Sequence, residues 1–275
     1  MPRAAVLGSP IEHSLSPVLH NAGYEAAELA GWEYTRFETT AEGLPEFVEK
    51  SDPDFVGFSV TMPGKFAALR LADSVSDRAQ LIGSANTLVR RADGWFADNT
   101  DTEGVRGALA ELLGDEPVRH ALLIGAGGTA RPALWALAER AATNVTVLNR
   151  SDRSTELLPL AHELGLELSF AGFDGDLSAL SRAADVIVST VPAAALEDYV
   201  FDIAHAPVLD VIYDPWPTPL TTCAAANGHK TIGGHVMLAY QAFSQFEQFT
   251  GVAAPREEML DALNEELRRR SENTH

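Results

Sequence analysis

Leu122-Leu123-Ile124-Gly125-Ala126-Gly127-Gly128-Thr129-Ala130-Arg131 is the stretch on which the fold turns. An apolar run ends in a glycine cluster and passes into a helix-forming stretch, with Ala130 in the third position of G-x-G-x-x-G/A. Gly125 permits a tight turn, and Gly127 lets the backbone approach a pyrophosphate seated on the helix N-terminus. Taken alone, the same residues also describe an ordinary β-α turn. The next apolar run, Val145 to Leu148, ends 24 residues after Gly125 in Asn149-Arg150. NAD-binding folds place an acid there on the ribose hydroxyls, whereas an arginine suits a 2′-phosphate, whose oxygens pair with a guanidinium in bidentate geometry. Arg150 and Arg153 therefore read as a phosphate clamp, and NADP(H) is the expected cofactor. Asp152, between them, is an acid that can accept ribose hydroxyls and pull the preference back toward NAD. A methyltransferase would also want an acid at that strand end, so Asn149-Arg150 counts against one.

Outward from this turn, short apolar or β-branched runs alternate with amphipathic segments. The C-terminal half has strand candidates at 121–124, 144–148, 167–170, 185–189 and 208–211, several of them continuous apolar runs as in a parallel sheet buried on both faces. The N-terminal half alternates likewise: strand candidates at 4–7, 34–38 and 55–60, helical patterns at 17–29 and 44–50. A hairpin follows at 87–91 and 95–97 about Asp93-Gly94, a dipeptide suited to positive φ in a tight turn. Asp101 reads as the cap of a helix running to Leu113. Helical patterns at 237–249 and 256–270 close the chain, and Arg268-Arg269-Arg270 reads as favourable charge at a helix C-terminus. The fold class is α/β: an N-terminal α/β substrate domain over 1–102, a Rossmann-like doubly wound dinucleotide domain over 103–235 with a cleft between them, and helices over 236–275 packing back toward the first domain. A joint at 114–117 containing Gly and Pro is a further candidate boundary.

The 275 residues are 46% hydrophobic and 8% aromatic, enough for two modest cores, and carry a formal net charge of -19. A field of that sign repels nucleic-acid backbones and anionic lipid, so neither is an expected partner, and any phosphate must be captured by local geometry. The single cysteine, Cys223, forms no intrachain disulfide, and the apolar run at 4–7 is too short for a signal segment; a soluble, cytoplasmic protein is expected. Eight histidines occur without H-x-x-x-H or H-E-x-x-H spacing, so no metal is expected. The oligomeric expectation is a monomer or homodimer.

Four segments of the N-terminal half concentrate polar groups at strand ends and helix starts. Gly8 to Pro17 includes Ser14 and Ser16 directly before a helix, where hydroxyls and free backbone N–H groups can donate to a carboxylate or simply cap the helix. Ser59-Val60-Thr61-Met62-Pro63-Gly64-Lys65 ends a strand and opens a helix. Gly83 to Thr87 presents Asn86, and Asp98-Asn99-Thr100-Asp101-Thr102-Glu103-Gly104 presents amides and an acid. Each alone is compatible with ordinary turn chemistry.

In order and spacing, these segments together with the glycine turn, Asn149-Arg150, Ile212-Tyr213-Asp214-Pro215 and Gly234 to Gln241 resemble the shikimate/quinate dehydrogenase family over nearly the whole chain. The resemblance implies reversible NADP-linked reduction of 3-dehydroshikimate to shikimate in the route to aromatic amino acids. It implies that Ser14, Ser16 and Tyr213 hold the substrate carboxylate, that Thr61, Asn86, Asp101 and Gln241 hold ring hydroxyls, and that Lys65 and Asp101 are the catalytic acid–base pair. For the cofactor it implies Gly125, Ala126, Gly127, Gly128, Thr129, Ala130, Asn149, Arg150 and Arg153, with Asp77, Gly234 and the backbone at Val211 toward the nicotinamide. Two departures stand out: Ser59 occupies the place of a commoner Asn before V-T, and Ser189-Thr190-Val191-Pro192 replaces a commoner Asn-led segment. Two rival functions remain: an NAD-linked dehydrogenase preferring quinate, and a silent dinucleotide-binding protein that binds NADPH without turnover. The retained Lys65 and Asp101 argue against the second.

Overall fold

The computed structural model describes residues 1–272, which separate into two units: 1–100 together with 238–272, and 101–237. In the first, β1 (Arg3–Gly8), α1 (Ser16–Ala26), β2 (Glu33–Glu38), α2 (Leu44–Glu49) and β3 (Phe55–Val60) alternate as their sequence pattern requires. They are followed by α3 (Lys65–Leu71), β4 (Ser74–Val75), α4 (Asp77–Ile82), β5 (Thr87–Arg91) and β6 (Gly94–Asp98). The sheet order is β2-β1-β3-β5-β6-β4, with β2 and β3 parallel to β1 and β5 antiparallel to both β3 and β6. Ala4 to Leu7 is wholly buried because β1 has a strand on each side, and Leu7, Phe58, Leu88 and Ala97 share a core cluster.

The second unit runs α5 (Asp101–Leu113), β7 (His120–Ile124), α6 (Ala130–Glu139), β8 (Asn144–Leu148), α7 (Ser154–Glu163) and β9 (Glu167–Ala171). It continues through α8 (Leu177–Arg182), β10 (Val186–Ser189), α9 (Val200–Ile203), β11 (Val208–Asp210), α10 (Pro219–Ala226) and β12 (Thr231–Gly233). All six strands are parallel, in the order β12-β11-β10-β7-β8-β9. Counted from β7, this is the 3-2-1-4-5-6 winding of a dinucleotide fold, with its switch point between β7 and β10. Helix α11 (Gly234–Thr250) leaves this unit and enters the first, followed by α12 (Arg256–Glu272). Gly23 on α1 explains how the last helices seat there: a Cβ at that position would overlap the Met259 and Phe246 side chains, so only glycine lets α1, α11 and α12 approach so closely.

Three local readings are corrected. The hairpin register pairs Arg91 with Gly94, so its two loop residues are Ala92 and Asp93, and Gly94 alone has positive φ, at 125°. Asp73 makes that geometry necessary, since its carboxylate occupies the space of a Cβ at Gly94 and accepts from the Trp95 amide at 2.8 Å. Asp101 is the first residue of its helix and not the residue before it. Strands β4 and β12, two and three residues long, have no alternation to reveal them in the sequence; each ends its sheet, paired with one neighbour, β6 and β11 respectively.

Candidate active site

In the first unit, β1, β3 and β6 run in the same direction, so their C-terminal ends leave one edge of the sheet, and antiparallel β5 begins there. Four chain segments meet at that edge. The Thr61 amide donates to Leu7 O at 2.9 Å and the Ser9 amide to Met62 O at 3.0 Å, tying the loop after β1 to the loop after β3. The Ala85 amide donates to Lys65 O (3.0 Å), the Val60 amide to Asn86 O (2.7 Å) and the Asn86 amide to Asp98 O (3.1 Å). Ser14 therefore lies on the loop after β1 and Ser16 at the head of α1, Thr61 and Lys65 after β3, Asn86 before β5, and Asp101 three residues beyond β6. Ser14 Oγ accepts from the Ser16 amide at 3.4 Å, a turn within the serine loop. Gln241, on α11, accepts from Asn86 Nδ2 through its Oε1 at 3.4 Å, which brings these two expected substrate residues together.

The segment after β6 is held by Asp98, whose carboxylate takes five donors. Oδ1 accepts from Ser76 Oγ (2.6 Å), Arg78 Nε (2.7 Å) and the Asn99 amide (2.8 Å); Oδ2 accepts from Arg78 Nη2 (2.5 Å) and Gln248 Nε2 (2.8 Å). Burial works against the charged form, and the Arg78 guanidinium with the Ser76 and Gln248 donors outweighs it, holding the carboxyl down at about 2. Asn99 in turn donates through Nδ2 to Ser84 O at 2.9 Å, and the Thr100 amide to Asn86 Oδ1 at 2.8 Å. Asp101 leaves this clamp in the next peptide.

In the second unit the glycine turn sits at the switch point. Gly125 has φ +100°, and a Cβ there would lie 2.5 Å from Thr190 Oγ1 and 2.7 Å from Val191, the residues that follow β10, so both conformation and space demand glycine. Gly127 and Gly128 have open space where a Cβ would stand, Ala126 and Ala130 are buried, and Thr129 at the head of α6 forms no side-chain cap. The first-turn N–H groups and the bare glycine backbone thus fit a pyrophosphate. On the other side, the Asp210 carboxyl, pushed up by burial, accepts from the Thr218 hydroxyl at 2.8 Å and the Ile212 amide at 3.2 Å, shaping the loop that carries Val211 and Tyr213. The Gly234 amide donates to Ile212 O at 3.1 Å, and a Cβ at Gly234 would overlap the Val211 carbonyl, so this approach also requires glycine.

At the end of β8 the expected clamp is dispersed. Arg150 Nη2 donates to Ala195 O at 3.0 Å, and Arg153 Nε pairs with Glu156 at 2.8 Å. Both contacts are exposed and weak enough to give way to a phosphate. Asn149 Nδ2 donates to Ser151 O at 2.9 Å. Asp152 is occupied: its carboxylate accepts from the Ser154 amide at 2.8 Å and with the Ser154 hydroxyl is drawn below the ordinary range, so it ties down the start of α7. Asp77, expected with the cofactor residues, belongs to the first unit, where it opens α4 behind the Ser76 cap. Tyr34 and Gln245, near the sheet edge of the first unit, lie outside the polar segments singled out from the sequence, while Thr87, Asp98 and Thr190 lie inside such segments without a role having been read for them. Gln245 alone left a signal, being one helical turn from Gln241 on the same face. Among the described residues, no group of three or more His, Cys, Asp or Glu side chains is arranged to hold a metal, and no helix is long and apolar enough to cross a membrane.

The 3-2-1-4-5-6 winding with a glycine turn at its switch point defines the class: an α/β protein with a Rossmann-like dinucleotide unit joined to a second, mixed-sheet unit. The chain belongs to the shikimate dehydrogenase family. The family model described as shikimate dehydrogenase substrate binding domain matches residues 6–88, that of shikimate / quinate 5-dehydrogenase residues 109–202, and that of the shikimate 5′-dehydrogenase C-terminal domain residues 234–263. The NADP(+) shikimate dehydrogenase of Desulfitobacterium hafniense is 35% identical over 269 residues, covering 96% of this chain and 97% of that one. The pentafunctional AROM polypeptide of Saccharomyces cerevisiae is 34% identical over 281 residues; the match takes in 95% of this chain but spans only 18% of that polypeptide's length. The crystal structure of Mycobacterium tuberculosis shikimate dehydrogenase superposes with a TM-score of 0.92 at 50% identity, covering 96% of this chain and all of that one. That of the Thermus thermophilus enzyme in complex with NADP(H) and shikimate superposes at 0.81 with 32% identity, covering 96% and 99%.

Proposed function

We propose that the protein catalyses the reversible reduction of 3-dehydroshikimate to shikimate with NADPH, in the biosynthesis of aromatic amino acids. The observation that carries this reading is the sheet edge in the first unit. Two loops of hydroxyls, a lysine at a helix start, the Asn86 and Gln241 amides and the segment leading into Asp101 converge there, as a carboxylated ring with several hydroxyls requires. NADP(+)-linked relatives covering nearly the full chain support the cofactor. In the roles proposed, 1–100 with the closing helices forms the substrate half and 101–237 the NADP half.

Ser14, Ser16 and Tyr213 donate to the substrate carboxylate, and Thr61, Asn86, Asp101 and Gln241 hold the ring hydroxyls. When bound, NADPH supplies the hydride that adds to the ketone carbon. Lys65 donates a proton to the oxygen that becomes negative, and Asp101 orients the lysine and accepts from a neighbouring hydroxyl. Gly125, Ala126, Gly127, Gly128, Thr129 and Ala130 cradle the pyrophosphate. Arg150 and Arg153, with Asn149, take the 2′-phosphate and adenosine ribose, while Asp77, Val211 and Gly234 lie toward the nicotinamide. The protein is read as cytoplasmic, with a lone cysteine suited to a reducing compartment, and as a monomer or homodimer, which sedimentation distinguishes. NADPH oxidation with 3-dehydroshikimate, run beside NADH and beside dehydroquinate, tests the proposal. Turnover confined to NADPH and 3-dehydroshikimate supports it; faster turnover with NADH and dehydroquinate replaces it with a quinate dehydrogenase, and NADPH binding without turnover replaces it with a silent binder.

A further inference from the structure

Behind the proposed substrate edge, β2, β3, β5 and α11 enclose a line of buried polar side chains, Tyr34, Ser59, Gln245 and Thr87, that the proposed reaction does not use and that ends on Asn86. The Tyr34 hydroxyl donates to Ser59 Oγ at 2.6 Å, and Ser59 Oγ to Gln245 Oε1 at 2.7 Å. Gln245 Nε2 donates to Asn86 O at 3.0 Å and to Thr87 Oγ1 at 2.9 Å, and Thr87 Oγ1 donates to Asn86 Oδ1 at 2.8 Å. Asn86 Nδ2 then points at Thr100 Oγ1 (3.0 Å) and Gln241 Oε1 (3.4 Å). Tyr34, Ser59, Asn86, Thr87 and Gln245 are all buried, so water does not compete along the line.

The direction of this chain is set by backbone groups and so does not depend on how an amide is drawn. Asn86 O is a carbonyl and can only accept, so the Gln245 group facing it must be the NH2. Gln245 then shows its oxygen to Ser59, which has to spend its only proton there and take Tyr34 as its donor. At the other end, the Thr100 amide donates to Asn86 Oδ1 at 2.8 Å, and Gln241 Nε2 donates to Leu238 O at 2.9 Å. Asn86 is thereby obliged to present N–H donors toward Gln241, and an inverted amide would face donors with donors. Tyr34 is itself fixed by His20, whose ring stacks on it at 4.1 Å with 5° between planes, and burial pushes the His20 imidazole down to about 3, so no charge enters the line.

We propose that Tyr34 and Ser59 are positioning residues for Asn86: through this one-way chain of hydrogen bonds they hold Gln245, and with it Thr87 and Asn86, in place, so that the carboxamide whose sense the Thr100 amide sets meets the substrate in a fixed position. The inference rests on the assignment of Asn86 to a ring hydroxyl of the substrate. It also gives serine at position 59 a role, since its hydroxyl accepts from Tyr34 and donates to Gln245.

The test is a double-mutant cycle on the full chain. Tyr34→Phe removes one oxygen, and Ser59→Ala breaks the same line one link further on. Loss of that fixed position is expected to raise KM for shikimate and lower kcat/KM on the order of tenfold, as for one buried hydrogen bond transmitted to the ligand, with KM for NADP⁺ unchanged. In an Asn86→Ala background Tyr34→Phe should cost no more than twofold, because the residue it acts through is gone. Parental kcat/KM in Tyr34→Phe and Ser59→Ala, or a loss that multiplies undiminished in the Asn86→Ala background, overturns the proposal. A second readout needs no turnover: in ligand-free protein with ¹⁵N-labelled asparagine, the Asn86 Nδ2 proton pair should be resolved and slow to exchange, and should shift and exchange faster in Tyr34→Phe. Unmoved resonances overturn the relay even if the variant's melting temperature falls. A parent that fails to turn over shikimate overturns the proposed activity instead, and the resonance experiment still decides the relay.

Discussion

Replacing Asp98 by Asn keeps the size of the side chain and removes its charge from a clamp of five donors. Two of these, Arg78 Nη2 and Gln248 Nε2, share Oδ2; an Asn NH2 in that place would face donors with donors, and the flipped amide would do the same to Ser76, Arg78 Nε and the Asn99 amide. The Asp98 side chain is only 6% exposed, so solvent cannot stand in. The first measure of the cost is the lowering of the carboxyl from 3.8 to about 2, which at about 1.4 kcal/mol per unit gives about 2 kcal/mol for the ionised over the neutral form. The roughly 3–5 kcal/mol typical of breaking a buried pair is an upper bound, because the attraction of Arg78 is already part of that lowering and its side chain is 20% exposed. The expected destabilisation is about 2–4 kcal/mol, or roughly 5–15 °C in melting temperature at pH 7 for a chain of this size. The pH dependence provides the control. Because the folded-state value is depressed, the contribution is fully present above the unfolded value near 4 and is lost as the pH falls from 4 through 2. Urea melts of parent and Asp98→Asn should therefore differ by a constant amount between pH 5 and 8 and converge below 4. A melting temperature within 1 °C of the parent at pH 7, or a gap undiminished at pH 2.5, refutes the reasoning.

Lys65→Ala should lower kcat by about 10² or more with KM for shikimate little changed, as expected for a general acid–base; steady-state kinetics in both directions check this, and parental turnover removes Lys65 from the chemistry. Arg150→Ala should raise KM for NADPH on the order of 10- to 100-fold while leaving KM for NADH within about threefold, the signature of a lost charge-assisted contact to the 2′-phosphate. Equal effects on both cofactors would mean that Arg150 touches something common to them. Asp152→Ala should leave the NADPH-over-NADH ratio unchanged, because that carboxylate is engaged at the start of α7; a ratio moved in favour of NADPH would show that Asp152 contests the ribose.

The glycine turn was legible for a physical reason: its residues are dictated locally. Gly125 needs positive φ, the helix after it needs open N–H groups, and both demands fall on consecutive residues. The strands of the second unit were equally plain, because burial on both faces leaves unbroken apolar runs such as Leu122 to Ile124 and Val186 to Val188. The clamp at Asp98 was not legible. Arg78 and Asp98 are 20 residues apart with Gln248 a further 150 along, and nothing in an exposed-looking Asp-Asn-Thr-Asp marks its first acid as buried. Asp152 is the reverse case: beside two arginines its composition suggests a ligand contact, and only the structure shows its carboxylate accepting from the Ser154 amide.

What the linear sequence determined by itself is the class of fold and the family, since each rests on short motifs whose residues lie within a few positions of one another, taken in their order along the chain. What only the tertiary structure decided is how the polar groups of the proposed site are oriented. A carboxamide such as Asn86 is symmetric in shape and opposite in polarity at its two ends; the choice between donor and acceptor is made by the Thr100 amide, with Thr87 and, at some remove, Gln245, Ser59 and Tyr34 as its further partners. These partners come from β2, β3, β5, α11 and the segment after β6, which are adjacent only once the sheet has formed and the last helices have closed against it.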